Sequence, residues 1–144
     1  GVDGSRGRGA LVFGGGNAGL DELTTTDANQ GWLVAGGAVV ETGFDARESL
    51  GMASSSVGDR AGGEAAENAA VARDVLSGGG ADAVRDAVAL NVGAGILAWE
   101  GLDNPVTQAD FEQRIRGAVE RALAGLADGS GARLVERWVA ASNA

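Results

Sequence analysis

The spacing of apolar residues changes once along this chain, and that change limits what it can fold into. Up to Glu41 the apolar residues come in short runs bounded by glycine, at residues 10–13, 31–35 and 38–41. From Glu64 onward they recur at helical spacing through four segments. Short runs with glycine punctuation predict strands, and the 3.6-residue period predicts helices. The expected fold is therefore α/β in class: one domain over residues 1–144, with a small mixed sheet covered by about four C-terminal helices.

Each element has its own local signal. Residues 10–13 (ALVF) are apolar on both faces, which predicts a strand in the centre of a sheet. Residues 27–30 read as a turn. Gly36-Gly37 between two apolar runs predicts a hairpin, with Trp32 as a packing residue on it. Residues 43–63 lack periodicity and hold Ser54, Ser55 and Ser56; they read as an irregular surface connection. A helix over 64–76 has acids in its first turn and stops at Gly78-Gly79-Gly80. Residues 81–100 are apolar nearly all round, which predicts a buried central helix, with Asn91 in its middle as a satisfied core amide. Thr107, after the single proline Pro105, caps a third helix striped with Phe111, Ile115, Val119 and Leu126. Ser130 is expected to cap a fourth, with Leu134, Val135, Trp138 and Val139 facing inward. Residues 1–9 read as a frayed start or an interrupted connection, with Arg6 and Arg8 as solvated arginines.

Composition removes several chemistries. The chain has no His and no Cys, which excludes imidazole acid–base catalysis, thiolate or His-ligated metal sites and disulfides. Its 11 basic residues are all Arg, and the net charge of −9 disfavours a nucleic-acid partner. The longest apolar stretch, residues 87–99, is too short to span a bilayer, and no leader opens the chain, so no membrane association and a cytoplasmic location are expected.

One stretch concentrates chemistry. Residues 11–26 (LVFGGGNAGLDELTTT) run from an apolar strand through glycines to adjacent carboxylates, Asp21 and Glu22. Glycines free the backbone for a sharp turn and close approach, and paired carboxylates supply hard oxygen ligands suited to Mg²⁺. Gly14, Gly16 and Gly19 also match the dinucleotide spacing G-x-G-x-x-G, with Glu41 about twenty residues on. That motif needs the glycines to open a helix. Residues 21–30 are rich in Thr, Asp and Asn, and a hairpin follows, so the context speaks against it.

Four motifs, taken in order, resemble a known family. Gly19-Leu20-Asp21-Glu22-Leu23-Thr24 is similar to the G-L-D-E-[LI]-[ST] motif of anthranilate phosphoribosyltransferases. Residues 62–69 (GGEAAENA) resemble that family's G-G-D-x-x-E-N-A helix entry. Residues 85–94 (RDAVALNVGA) resemble R-D-A-V-L-L-N-A-x-A, and Ser130-Gly131-Ala132 resembles the terminal S-G-x-A helix. The resemblance implies a partial nucleoside phosphorylase/phosphoribosyltransferase-like α/β domain. It also implies transfer of a phosphoribosyl group from phosphoribosyl pyrophosphate to anthranilate, in tryptophan biosynthesis. It implies Mg²⁺ on Asp21 and Glu22, holding the diphosphate leaving group, and assigns no catalytic side chain within these residues.

The chain also departs from that pattern. The family's G-T-G-G-D loop, its lysine- and serine-rich phosphate loop and its helical N-terminal domain have no counterpart here, and that domain carries the usual homodimer interface. The family's V-H-G is Val12-Phe13-Gly14, and the loop from there to Asp21 is about two residues longer. The expectation is the C-terminal part of the catalytic domain, inactive by itself. The rival expectation is a noncatalytic interaction or scaffold module derived from the same fold, pairing through an exposed sheet edge.

Overall fold

A computed structural model describes residues 9–35, 37–101 and 107–144. The expectations for residues 1–8, Gly36 and Pro105 lie outside the described residues. Three strands form one sheet in the order β1-β2-β3: β1 (Ala10–Gly14), β2 (Asn29–Ala35) and β3 (Ala38–Phe44). Five α-helices follow: α1 (Ala46–Leu50), α2 (Ala65–Leu76), α3 (Asp82–Glu100), α4 (Gln108–Ala127) and α5 (Ser130–Ser142). Strands first and helices last is the arrangement the period change predicted. No helix among the described residues is long and apolar enough to cross a membrane.

The sheet is antiparallel throughout rather than mixed, and β1 is its edge rather than its centre. Ala35 pairs with Ala38, and Gly37 has φ +81°, as the Gly-Gly signal predicted. Alternation sorts the side chains. Leu11, Phe13, Leu33 and Phe44 face the helices and join the core. Val12 pairs across from Trp32 on the other face, and these two are 46% and 41% exposed. The apolar character of β1 on both faces, which suggested a central strand, comes from this uncovered outer side. Residues 29 and 30, read as turn, open β2.

The core is built where α3 and α4 meet the inner sheet face. All three phenylalanines converge there, with ring centroids 5.7–6.2 Å apart between Phe13, Phe44 and Phe111. Phe111 belongs to α4, so this cluster ties the sheet to the helices. Ala89, Leu90, Gly93 and Leu97 form the buried stripe of α3. The remainder of α3 is not buried all round: Val92 is 44% and Trp99 84% exposed. Gly93 is the point of closest approach to α4, because a Cβ there would lie 2.6 Å from Val119 Cγ2 and 2.9 Å from its backbone nitrogen. A smaller cluster of Val75, Ala89, Ala122 and Leu126 seats α2.

Helix ends differ in how they are capped. Thr107 Oγ1 accepts from Asp110 N at 3.1 Å, closing a capping box on α4. Gly129 rather than Ser130 stands at the start of α5, in the left-handed region at φ +70°. The Ser130 hydroxyl turns back to donate to Gly125 O. Nor does α5 face inward. Leu134, Trp138 and Val139 are more than half exposed, and Val135 is half-buried. The helix meets α2 at its first turn, where Gly131 lies against Leu76. Its apolar stripe has no cover among the described residues.

Two substitutions separate the stripes that matter. Leu90→Ala removes a fully buried side chain and is expected to cost about 2–5 kcal/mol, whereas Trp138→Ala should stay within about 0.5 kcal/mol. Gly93→Ala gains about 1 kcal/mol of helix propensity yet should be net destabilising, by about 1–3 kcal/mol, because the obstacle is backbone that cannot swing aside. Urea denaturation midpoints of the three variants check both statements.

Candidate functional site

The glycine loop after β1 folds back on itself. Gly15 N donates to Leu20 O at 2.7 Å, and an antiparallel bridge joins the two residues. Between them Gly16–Ala18 makes a 3₁₀ turn rather than opening an α-helix, so the context that the dinucleotide motif requires is not formed. Gly16 has φ +38°, and a Cβ on it would stand 2.2 Å from the carbonyl oxygen of Ala28; only glycine fits. Glu41, the would-be ribose acid, accepts a hydrogen bond from Gln30 Nε2 on the sheet.

Asp21 and Glu22 follow directly, both exposed. Among the described residues neither carboxylate has a hydrogen bond or an ion pair. After them the chain turns inward: Leu23 is 1% exposed, and Thr24 and Thr25 are fully buried. This segment has no strand neighbour among the described residues, yet its peptide groups are paired. Leu23 N donates to Asn91 Oδ1 at 3.0 Å, and Asn91 Nδ2 donates to Leu23 O at 2.9 Å. Thr24 N donates to Asn29 Oδ1 at 2.7 Å, and Asn29 Nδ2 returns a bond to Thr24 O at 2.9 Å. The amide of Asn91 is satisfied as the sequence predicts, donating also to Ala87 O, but the residue is half-buried at the edge of a cleft rather than in the core.

The segment read as an irregular surface connection braces the same threonines. Asp45 caps α1 and Gly51 ends it in the left-handed region, so part of the connection is helical. Thr25 Oγ1 and Ser55 Oγ lie 2.7 Å apart. Arg60, in a 3₁₀ turn at Gly58–Arg60, donates through Nη2 to the hydroxyls of Thr24 and Thr26 at 2.9 and 2.6 Å. Arg47 reaches Thr26 O at 3.3 Å while donating through Nε to Asp45.

Asp21, Glu22, Leu23 and Asn91 share the wall of a cleft of about 230 Å³ with Gly95 and Ala98 of α3. The structure thus joins the carboxylate pair to a residue 68 positions from Leu23 in sequence. No third His, Cys, Asp or Glu gathers there among the described residues. Two unengaged carboxylates do not make an all-protein cage. They do suit Mg²⁺, which takes one or two carboxylates and completes its shell with water and phosphate.

A sequence profile of the glycosyl transferase family, a/b domain, matches residues 3–132. The chain belongs to this family. Among curated relatives are anthranilate phosphoribosyltransferases. That of Nocardioides sp. is 46% identical over 142 residues, covering 99% of this chain and 39% of the relative. That of Arthrobacter sp. is 44% identical, covering 97% and 38%. That of Nocardia farcinica is 41% identical, covering 99% and 41%. The chain therefore spans roughly two-fifths of the length of these glycosyl transferase family relatives. The α/β class expected from the resemblance is that of the family's a/b domain.

The brace gives a pH prediction. Hydrogen bonding from the Arg47 side chain holds Asp45 down at about 2, below its ordinary 3.8. A depressed carboxylate contributes stability that is present above pH 3.8 and lost as the pH falls through about 2. Asp45→Ala should cost about 1 kcal/mol near neutrality through loss of the cap and the pair. The gap between the urea midpoints of parent and variant should narrow as the pH is lowered across that window.

Proposed function

We propose that these residues form the metal–diphosphate side of a phosphoribosyl-transfer site, with phosphoribosyl pyrophosphate as donor and anthranilate as acceptor. The relatives named for that activity support the reaction class. The observation that carries the assignment is the placement of Asp21 and Glu22: exposed, unengaged by described partners, and set on a segment anchored at both ends.

Asp21 and Glu22 would hold Mg²⁺. When bound there, the ion supplies neutralisation of the charge that develops on the departing diphosphate. The chain's own work is to present the two carboxylates on a fixed backbone and to keep a glycine loop beside them where a ligand can approach closely. The attacking amine of anthranilate is a neutral nucleophile, so the absence of His and Cys is compatible with the reaction. Ribose and acceptor contacts, and the homodimer that the resemblance implies, fall to polypeptide outside these residues. By this reading the 144 residues bind Mg²⁺ weakly and do not turn over alone.

A second reading, a noncatalytic interaction module, is favoured by one observation: the edge of β1, which has no strand partner on that side among the described residues, beside the exposed Val12 and Trp32. A concentration-dependent dimer that Val12→Lys abolishes would favour it.

Mn²⁺, a paramagnetic stand-in for Mg²⁺, tests the metal assignment by NMR. Line broadening should centre on Leu20, Asp21, Glu22 and Leu23, and pyrophosphate should strengthen it slightly. The double substitution Asp21→Asn with Glu22→Gln should abolish it and leave the melting temperature almost unchanged, since exposed charges contribute little to stability. Diffuse broadening over the acidic surface of the parent protein would end the assignment.

A further inference from the structure

We infer that Asn91 is the positioning residue of the carboxylate pair, which rests on the metal reading of Asp21 and Glu22 given above. The peptide group between Glu22 and Leu23 contributes the Leu23 N–H that Asn91 accepts, so the amide grips the backbone directly beside the second carboxylate. The grip is two-way, because Asn91 Nδ2 donates to the carbonyl of the same residue. A neutral side chain with one donor and one acceptor at amide spacing is what this demands; Asp as a carboxylate, Leu and Ser cannot reproduce it. Asn91 stands in the middle of α3, whose buried stripe is locked against α4, so the clamp is mounted on a helix fixed by the core. On the other side of the pair the Gly15–Leu20 bridge holds the chain. The two carboxylates are thus suspended between a backbone bridge and a side-chain clamp.

Asn91 also lines the cleft that Asp21 and Glu22 border, yet its amide is spent on Leu23 and Ala87 rather than turned to the opening. Its effect on a bound ion is therefore indirect. It fixes the peptide that follows Glu22. Loss of a side chain that orients a metal ligand weakens affinity by roughly tenfold or more.

The test compares Mn²⁺ binding to the parent chain, Asn91→Leu and Asn91→Ser by NMR broadening and titration, with α4 amide shifts as the measure of intact packing. Leu keeps the volume and loses both bonds; Ser leaves room for water on the Leu23 peptide and so folds even where Leu does not. The expected result is unchanged α4 shifts, faster hydrogen exchange at the Leu23 amide, Mn²⁺ affinity weakened about tenfold, and broadening no longer centred on Leu20 to Leu23. Parent-like affinity and focus in a folded variant would overturn the positioning role while leaving the metal site standing. Diffuse broadening already in the parent would remove the metal reading, and this inference with it.

Discussion

The constraint on which the rest depends is the need to pair the backbone of a buried segment, Leu23 and Thr24, that has no neighbouring strand among the described residues. Leu23 turns to α3 and Thr24 to the start of β2, and an asparagine amide waits on each side. Each amide does what one residue of an adjacent strand would do, accepting from the N–H and donating to the C=O of a single residue. Asn68 repeats the device on Gly63 at the entry to α2. Unpaired buried peptide groups cost more than a made bond gains, so these amides act mainly by preventing a loss.

The amides work only if their elements are fixed, and the helix contact supplies that. Gly93 lets α3 settle against the backbone of α4 at Val119. That contact lies two residues from Asn91 on the same helix. Phe111, one turn into α4, carries the same registration to Phe13 and Phe44 in the sheet. The position of an exposed acidic pair therefore depends on packing several residues deep, through a glycine, a valine and three rings.

What could be read from the sequence was whatever is encoded at short range. The hairpin follows from Gly-Gly between apolar runs, α4 from Thr107 and its stripe, and the carboxylate pair from its place after a glycine loop. What escaped was set at long range or by cover. A helix of five residues is too short to show a period, and α1 was signalled only by Asp45 before it and Gly51 after it. Asn29 has turn-like chemistry, yet it opens β2 by pairing with Phe44, while its side chain serves Thr24. Arg60 and Thr24 are 36 positions apart, a separation no local spacing announces. The stripes of β1 and α5 have core composition, but composition cannot say whether anything lies on top of them.

The placement of the indoles has a spectroscopic consequence. Trp32, Trp99 and Trp138 are 41%, 84% and 73% exposed, the chain has no tyrosine, and its buried aromatic cluster is all phenylalanine. Intrinsic emission from this protein is therefore a signal from its surface. It follows melting of the interior only indirectly, and far-ultraviolet dichroism is the direct probe. The part of the emission that Trp32→Phe removes would report, by quenching or a blue shift, on whatever comes to rest against the outer side of the sheet.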